Sequence, residues 1–230
     1  MEWIFLAAGQ AVELILSLDP DLTRIIGLSL GVSLSAVGLA GVLGVPCGVW
    51  LGLARFKGRG AVVSVLNALM GMPPVVVGLV VFMLLSRRGP LGGLELLFTP
   101  QAMVLAQTVL VWPIVTSLTL AAVHGLDPQV ARQARTLGAN RWQTARVVVR
   151  EARFGVMAAL IAGFGRAVAE VGAVLMVGGN IQGQTRVMTT TIAMETSKGD
   201  YQLALALGFV LLGVGLGVNL LFSRLQKGGG

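Results

Sequence analysis

Long apolar runs joined by short polar stretches make up most of this chain. Five runs are long enough to cross a bilayer, near residues 25–53, 61–85, 101–123, 154–177 and 203–222, since a helical crossing takes about 20 apolar residues. In hydrocarbon every backbone N–H and C=O must find a partner inside its own segment, so such runs predict helices. A sixth stretch, 3–18, has sixteen residues and reaches about 24 Å at ~1.5 Å per residue, short of a ~30 Å core. Gln10, Glu13 and Ser17 share one stripe of it, and it reads as an amphipathic helix lying in the interface. The expected fold is all-α. Residues 1–230 form one polytopic transmembrane domain of five spans plus the N-terminal interfacial helix, with no internal repeat or interdomain linker.

Composition agrees with a membrane solvent. The 230 residues are 55% hydrophobic and 12% charged, against about 25% charged in soluble domains. Glycine is abundant, at 32 residues, as where helices approach closely in lipid. Cys47 is the one cysteine and His124 the one histidine, which excludes an intrachain disulfide and leaves no Cys/His cluster for a metal. No cofactor is expected. The net charge of +7 is a topology signal, and nucleic-acid binding is not read from it. With the stretch 127–153 placed inside, eleven of the seventeen Lys and Arg fall on the inner side. That bias predicts an outside N-terminus and an inside C-terminus.

Residues 127–153 are the most informative polar segment. Asp127-Pro128 offers an N-cap followed by a first-turn proline. Val130, Ala131, Ala134 and Leu137 give a helical apolar face, and Gly138 stops it as a C′ residue would. Asn140 caps a second helix through Trp142, Ala145, Val148 and Val149. Composition alone suits a basic segment on anionic lipid, given Arg132, Arg135, Arg141, Arg146, Arg150 and Arg153. The order Gln133-Ala134-Arg135-Thr136-Leu137-Gly138-Ala139, however, resembles the cytoplasmic coupling motif of ATP-binding-cassette (ABC) importer permeases, in which a glycine separates two short helices docked on the ATPase. Two positions depart from that motif: its leading Glu falls on Ala131 and its closing Leu-Pro on Arg150-Glu151.

Ionisable groups within a span are functional candidates by default. Arg166 and Glu170 are such a pair, one helical turn apart, and their spacing suits either a pathway role or an ion pair that fixes packing. The loop beyond them carries Gly178, Gly179, Asn180, Thr185 and Arg186. Backbone amides, hydroxyls and a guanidinium are the donors an oxyanion needs, although an ordinary outer loop has similar composition. Glu170-Val171-Gly172-Ala173, Val177-Gly178-Gly179-Asn180-Ile181 and Thr185-Arg186-Val187-Met188-Thr189-Thr190 resemble the molybdate/tungstate branch of these permeases, most closely the tungstate-uptake permeases. Gly71-Met72-Pro73-Pro74 and Glu151-Ala152-Arg153 carry the same likeness.

The resemblance implies a type I ABC importer permease: a non-catalytic membrane subunit working as a homodimer, with cytosolic ATPase subunits and an external tungstate- or molybdate-binding protein. It assigns ATPase coupling to Ala134, Arg135, Leu137, Gly138 and Arg141, and the pathway or gate to Arg166, Glu170, Asn180, Thr185 and Arg186. Pro73 and Pro74 are a hinge or a structural bend, and Trp112-Pro113 a further bend. Ser29, Ser33 and Ser35 line a helix interface or bond back to their own helix. The alternatives are a permease for molybdate or another oxyanion, an ion-gradient-driven secondary transporter, and a structural membrane scaffold.

Overall fold

A computed structural model describes residues 20–227 together with Leu6, Gly9 and Glu13. Apart from those three residues, the interfacial helix expected over 3–18 lies outside the described residues. Ten α-helices follow in order: α1 (Pro20–Leu53), α2 (Arg59–Met70), α3 (Pro74–Leu85), α4 (Pro100–His124), α5 (Pro128–Thr136), α6 (Arg141–Glu151), α7 (Arg153–Val168), α8 (Gly172–Gly178), α9 (Met188–Lys198) and α10 (Tyr201–Lys227). A short 3-10 turn, Gly92–Leu94, precedes α4. No strand occurs among the described residues.

Helices α1, α4 and α10 are each long and apolar enough to cross a membrane alone. They differ in what surrounds them. In the most apolar window of α4, 61% of residues are buried inside the chain, against 33% in α1 and 17% in α10, so α4 is the central post and α10 is peripheral. α4 packs along α1 and α7, α3 packs on α8, and α9 folds back on α10.

Close approach of α1 and α4 depends on small residues. Gly44, Gly48 and Gly52 recur every four residues along one face of α1. A Cβ at Gly48 would sit 2.6 Å from the Thr116 carbonyl oxygen, and one at Gly52 2.6 Å from Val123 Cγ1. Where lipid is as apolar as the side chains, packing of this closeness is the main force holding helices together. We expect Gly48→Leu to force the two helices apart and remove most assembled protein from the membrane, measured as detergent-stable monodisperse protein. A full yield would show that the seam tolerates separation.

The run 61–85 is not one straight crossing. α2 and α3 meet at 98° across a break of Gly71, Met72 and Pro73. Each has 12 residues and so spans only about 18 Å. Pro73 and Pro74 supply no N–H, and a proline pushes the residue before it out of the helical region. α2 therefore ends before them, and Pro74 opens α3 at a position where its missing donor costs nothing. A proline bend was legible there; a right-angle turn was not.

The run 154–177 is likewise divided, with α7 and α8 meeting at 60°. By contrast α4 continues unbroken through Pro113, so the bend expected at Trp112-Pro113 does not interrupt the helix. Only the single bond that the Pro113 N–H would have made is lost, and flanking contacts with α1 and α7 hold the rest. The serines divide as well. Ser29 and Ser33 are buried in the interface, whereas Ser35 is exposed. Ser29 serves both expected roles: its Oγ donates to the Ile25 carbonyl at 2.7 Å and accepts from the Met188 N–H at 2.9 Å.

Candidate functional site

Two constellations stand out, an elbow at one end of the bundle and a polar joint within it. The elbow is built by local chemistry. Asp127 Oδ1 accepts from the Gln129 N–H at 2.8 Å, capping α5, with Pro128 next to it. At the other end Gly138 has φ +83°. The Gly138 N–H donates to the Arg135 carbonyl and the Ala139 N–H to the Ala134 carbonyl, each at 3.0 Å, the paired bonds of a Schellman motif. Asn140 and Gln143 then form a reciprocal capping box at 2.8 and 2.9 Å. Both helix ends at the turn are therefore capped, which restrains the angle between α5 and α6.

The elbow presents one face inward and one outward. Val148, Ala152, Val49, Val123 and Val156 form an apolar cluster that anchors α6 to the ends of α1 and α4. Ala134 is buried within the chain. Leu137 is 89% exposed and Trp142 84% exposed, flanked by exposed Arg135 and Arg141. Sequence reasoning placed Trp142 on the second helix without marking it as part of the outward surface. Periodicity identifies an apolar residue but not the direction of its face in a helix this short.

The polar joint sits where α7 gives way to α8. Arg166 Nη1 and Glu170 Oε2 pair at 2.6 Å, the Arg166 side chain 31% and the Glu170 side chain 3% exposed. Glu170 Oε1 also accepts from the Ala173 N–H at 3.0 Å, so the carboxylate caps the first turn of α8. Around it, Gln107 Nε2 donates to the Ala167 carbonyl at 3.0 Å and Thr189 Oγ1 to the Glu170 carbonyl at 2.9 Å. These bonds take up carbonyls released at the end of α7. No proline or glycine pair lies between Ala167 and Val171, so side chains from α4 and α9, with Glu170 in the break itself, do the work of holding it. Ser29, Ser33, Gln107, Glu170 and Thr189 line a small, partly open cavity beside it. Gln107 and Thr189 were missed because their role depends on distant elements.

Beyond α8 the paired glycines end the helix as expected, with Gly179 at φ +71°. The Thr185 hydroxyl is consumed inside the loop: it donates to the Gly178 carbonyl and accepts from the Ile181 N–H. Asn180 sits at φ +51°; its Nδ2 meets Met194 Sδ at 3.5 Å. Asn180 Oδ1 and Arg186 Nε are buried without a hydrogen-bond partner. The Arg24 guanidinium lies against the loop tip, 3.5 Å from where a Cβ on Gly183 would be. Thus Arg166 and Glu170 form one cluster, Asn180, Thr185 and Arg186 share the loop, and Pro73 and Pro74 lie at the start of α3, which packs on α8. The elbow residues form a separate region.

Residues 44–228 match the family model described as the binding-protein-dependent transport system inner membrane component. The chain belongs to that permease family. Among its relatives is the tungstate uptake system permease protein TupB of Peptoclostridium acidaminophilum, 43% identical over 99% of this chain and 100% of the relative. A probable anion ABC transporter permease protein of Haloferax volcanii is 46% identical over 89% of this chain and 90% of its own length. The molybdenum transport system permease protein ModB of Escherichia coli K12 is 32% identical over 79% and 83%. In fold, the permease aligns with a chain of the inward-facing MetNI methionine ABC transporter at a TM-score of 0.75 and 18% identity, covering 92% of this chain and 97% of that one. The permease is therefore a membrane component of a binding-protein-dependent transport system with a type I ABC importer fold, and it acts in transport rather than as the ATPase.

Proposed function

We propose that this permease imports an oxyanion, tungstate first among them, as two identical copies that form the pathway between them. The elbow docks on a cytosolic ATPase, and an external binding protein delivers the anion. The observation that carries the docking assignment is the outward pair Leu137 and Trp142 on a fully capped turn. An apolar side chain and an indole displayed in water at the tip of a rigid element suit insertion into a partner's groove. Arg135 and Arg141 form its charged rim, Gly138 sets its angle and Ala134 gives it a small inner face. The basic bias supports an orientation with this elbow and the C-terminus inside and the N-terminus outside.

In the pathway reading, Arg166 and Glu170 set the angle between α7 and α8, Thr185 braces the following loop, and Asn180 and Arg186 face the anion. Asn180 and Arg186 suit that role because each keeps a buried polar atom without a partner. Pro73 and Pro74 hold α3 against α8 and hinge with it. Switching is then a two-state repacking of these helices, biased by ATP-driven closure at the elbow.

Tungstate ranks above molybdate because the TupB of Peptoclostridium acidaminophilum is 43% identical over 99% of this chain, against 32% over 79% for the ModB of Escherichia coli K12. The test is uptake of labelled tungstate into vesicles holding this chain, its ATPase and its binding protein, with molybdate and sulfate as competitors. Uptake should need ATP and yield to molybdate only at higher concentration. Anion flux by the permease alone would reject coupling, and ATP-driven uptake of sulfate undiminished by tungstate would reject the substrate.

A further inference from the structure

We infer that the junction of α1 and α2 carries a binding site for anionic lipid headgroups, built from Trp50, Arg55, Phe56 and Lys57. Trp50 and Phe56 are 59% and 39% exposed, yet they stack on each other with ring centroids 5.4 Å apart and planes 24° apart. Two aromatic rings joined in this way form a flat apolar plate at the very end of a membrane-length helix. Aromatic rings favour that depth, where one edge meets hydrocarbon and the other the headgroups.

The cations beside the plate are free to bind. Arg55 and Lys57 are exposed, and neither belongs to an ion pair among the described residues. No Asp or Glu occurs between Asp21 and Glu95, so this part of the chain supplies no counter-charge. Arg59, only two residues on, is engaged differently. Its Nε donates to the Leu51 carbonyl at 2.8 Å, and its guanidinium meets the His124 ring. Arg59 thus turns the chain back toward the bundle and leaves Arg55 and Lys57 on the outer side of the turn. Uncompensated positive charge next to an interfacial aromatic plate is complementary to a phosphodiester headgroup with its acyl chains. A zwitterionic headgroup brings its own cation and gains less.

The site is independent of what the permease transports, and its test reads lipid binding. The full-length chain with Trp50 as sole tryptophan (Trp3→Phe, Trp112→Phe, Trp142→Phe) is placed in phosphatidylcholine vesicles. Trp50 fluorescence is then quenched with brominated phosphatidylglycerol or brominated phosphatidylcholine. The relative binding constant should favour phosphatidylglycerol about fivefold or more, the contribution of one basic side chain near an anionic surface. It should fall to about parity in R55Q/K57Q and stay unchanged in R87Q/R88Q, which removes equal charge from another exposed loop. Equal quenching by both lipids overturns the site, as does an equal loss in R87Q/R88Q. Absence of quenching by either lipid also overturns it, since the plate would then be covered by protein. If the single-tryptophan chain does not assemble, native mass spectrometry counts phosphatidylglycerol retained by the unmodified chain and by R55Q/K57Q. Equal retention would likewise reject the site.

Discussion

Replacing Gly138 by Asp will abolish ATP-dependent uptake and leave the permease inserted and folded. At φ +83° a side chain costs about 1–2 kcal/mol of backbone strain, and Asp pays less of that than most residues because it tolerates the left-handed region. Nothing lies within 4 Å of where the Cβ would be, so no clash inside the chain adds to it. A penalty of that size at an exposed turn does not unfold a packed helical domain. The new carboxylate would instead project from the turn between Leu137 and Ala139, beside the surface proposed to enter the ATPase. Burying it there unpaired costs several kcal/mol, enough to break a docking contact. Detergent-stable protein should persist at near-normal yield while co-purified ATPase and uptake fall more than tenfold. Full ATP-driven uptake by this variant would show that the turn does not enter the partner.

How much of this was legible in advance follows from the range of the interactions. The elbow was readable because its determinants are local: Asp127, Pro128, Gly138 and Asn140 each act within four residues of themselves. The long apolar runs were readable because length and polarity alone decide them. The sharp fold at Met72 was only half legible, since proline fixes where a helix stops and not where the next one goes. The break at Ala169 was illegible, because it is held by Gln107 from α4 and Thr189 from α9, far away in sequence. Lipid and protein core also reward the same side chains, so α3, apolar on all sides, gave no sign of which face meets α8.

The remaining test concerns Glu170, where the sequence left two roles open. Glu170→Ala removes the partner of Arg166 and the acceptor of the Ala173 N–H together. Breaking a buried ion pair costs about 3–5 kcal/mol. Arg166 keeps partial access to solvent, so the lower end applies, with the unmet N–H adding to it. Assembled protein should drop severalfold, which alone would not separate packing from transport. Glu170→Gln is the discriminating variant: it preserves volume and an acceptor for Ala173 while deleting the charge. If the carboxylate sets the working angle between α7 and α8, Glu170→Gln should assemble better than Glu170→Ala yet lose most uptake per assembled protein, with ATPase co-purification intact. Arg166→Met/Glu170→Leu, which removes both charges, should behave the same way. Uptake restored to normal in that double variant would mean the pair serves only to pack the helices, and the gate would then have to be sought in Asn180 and Arg186.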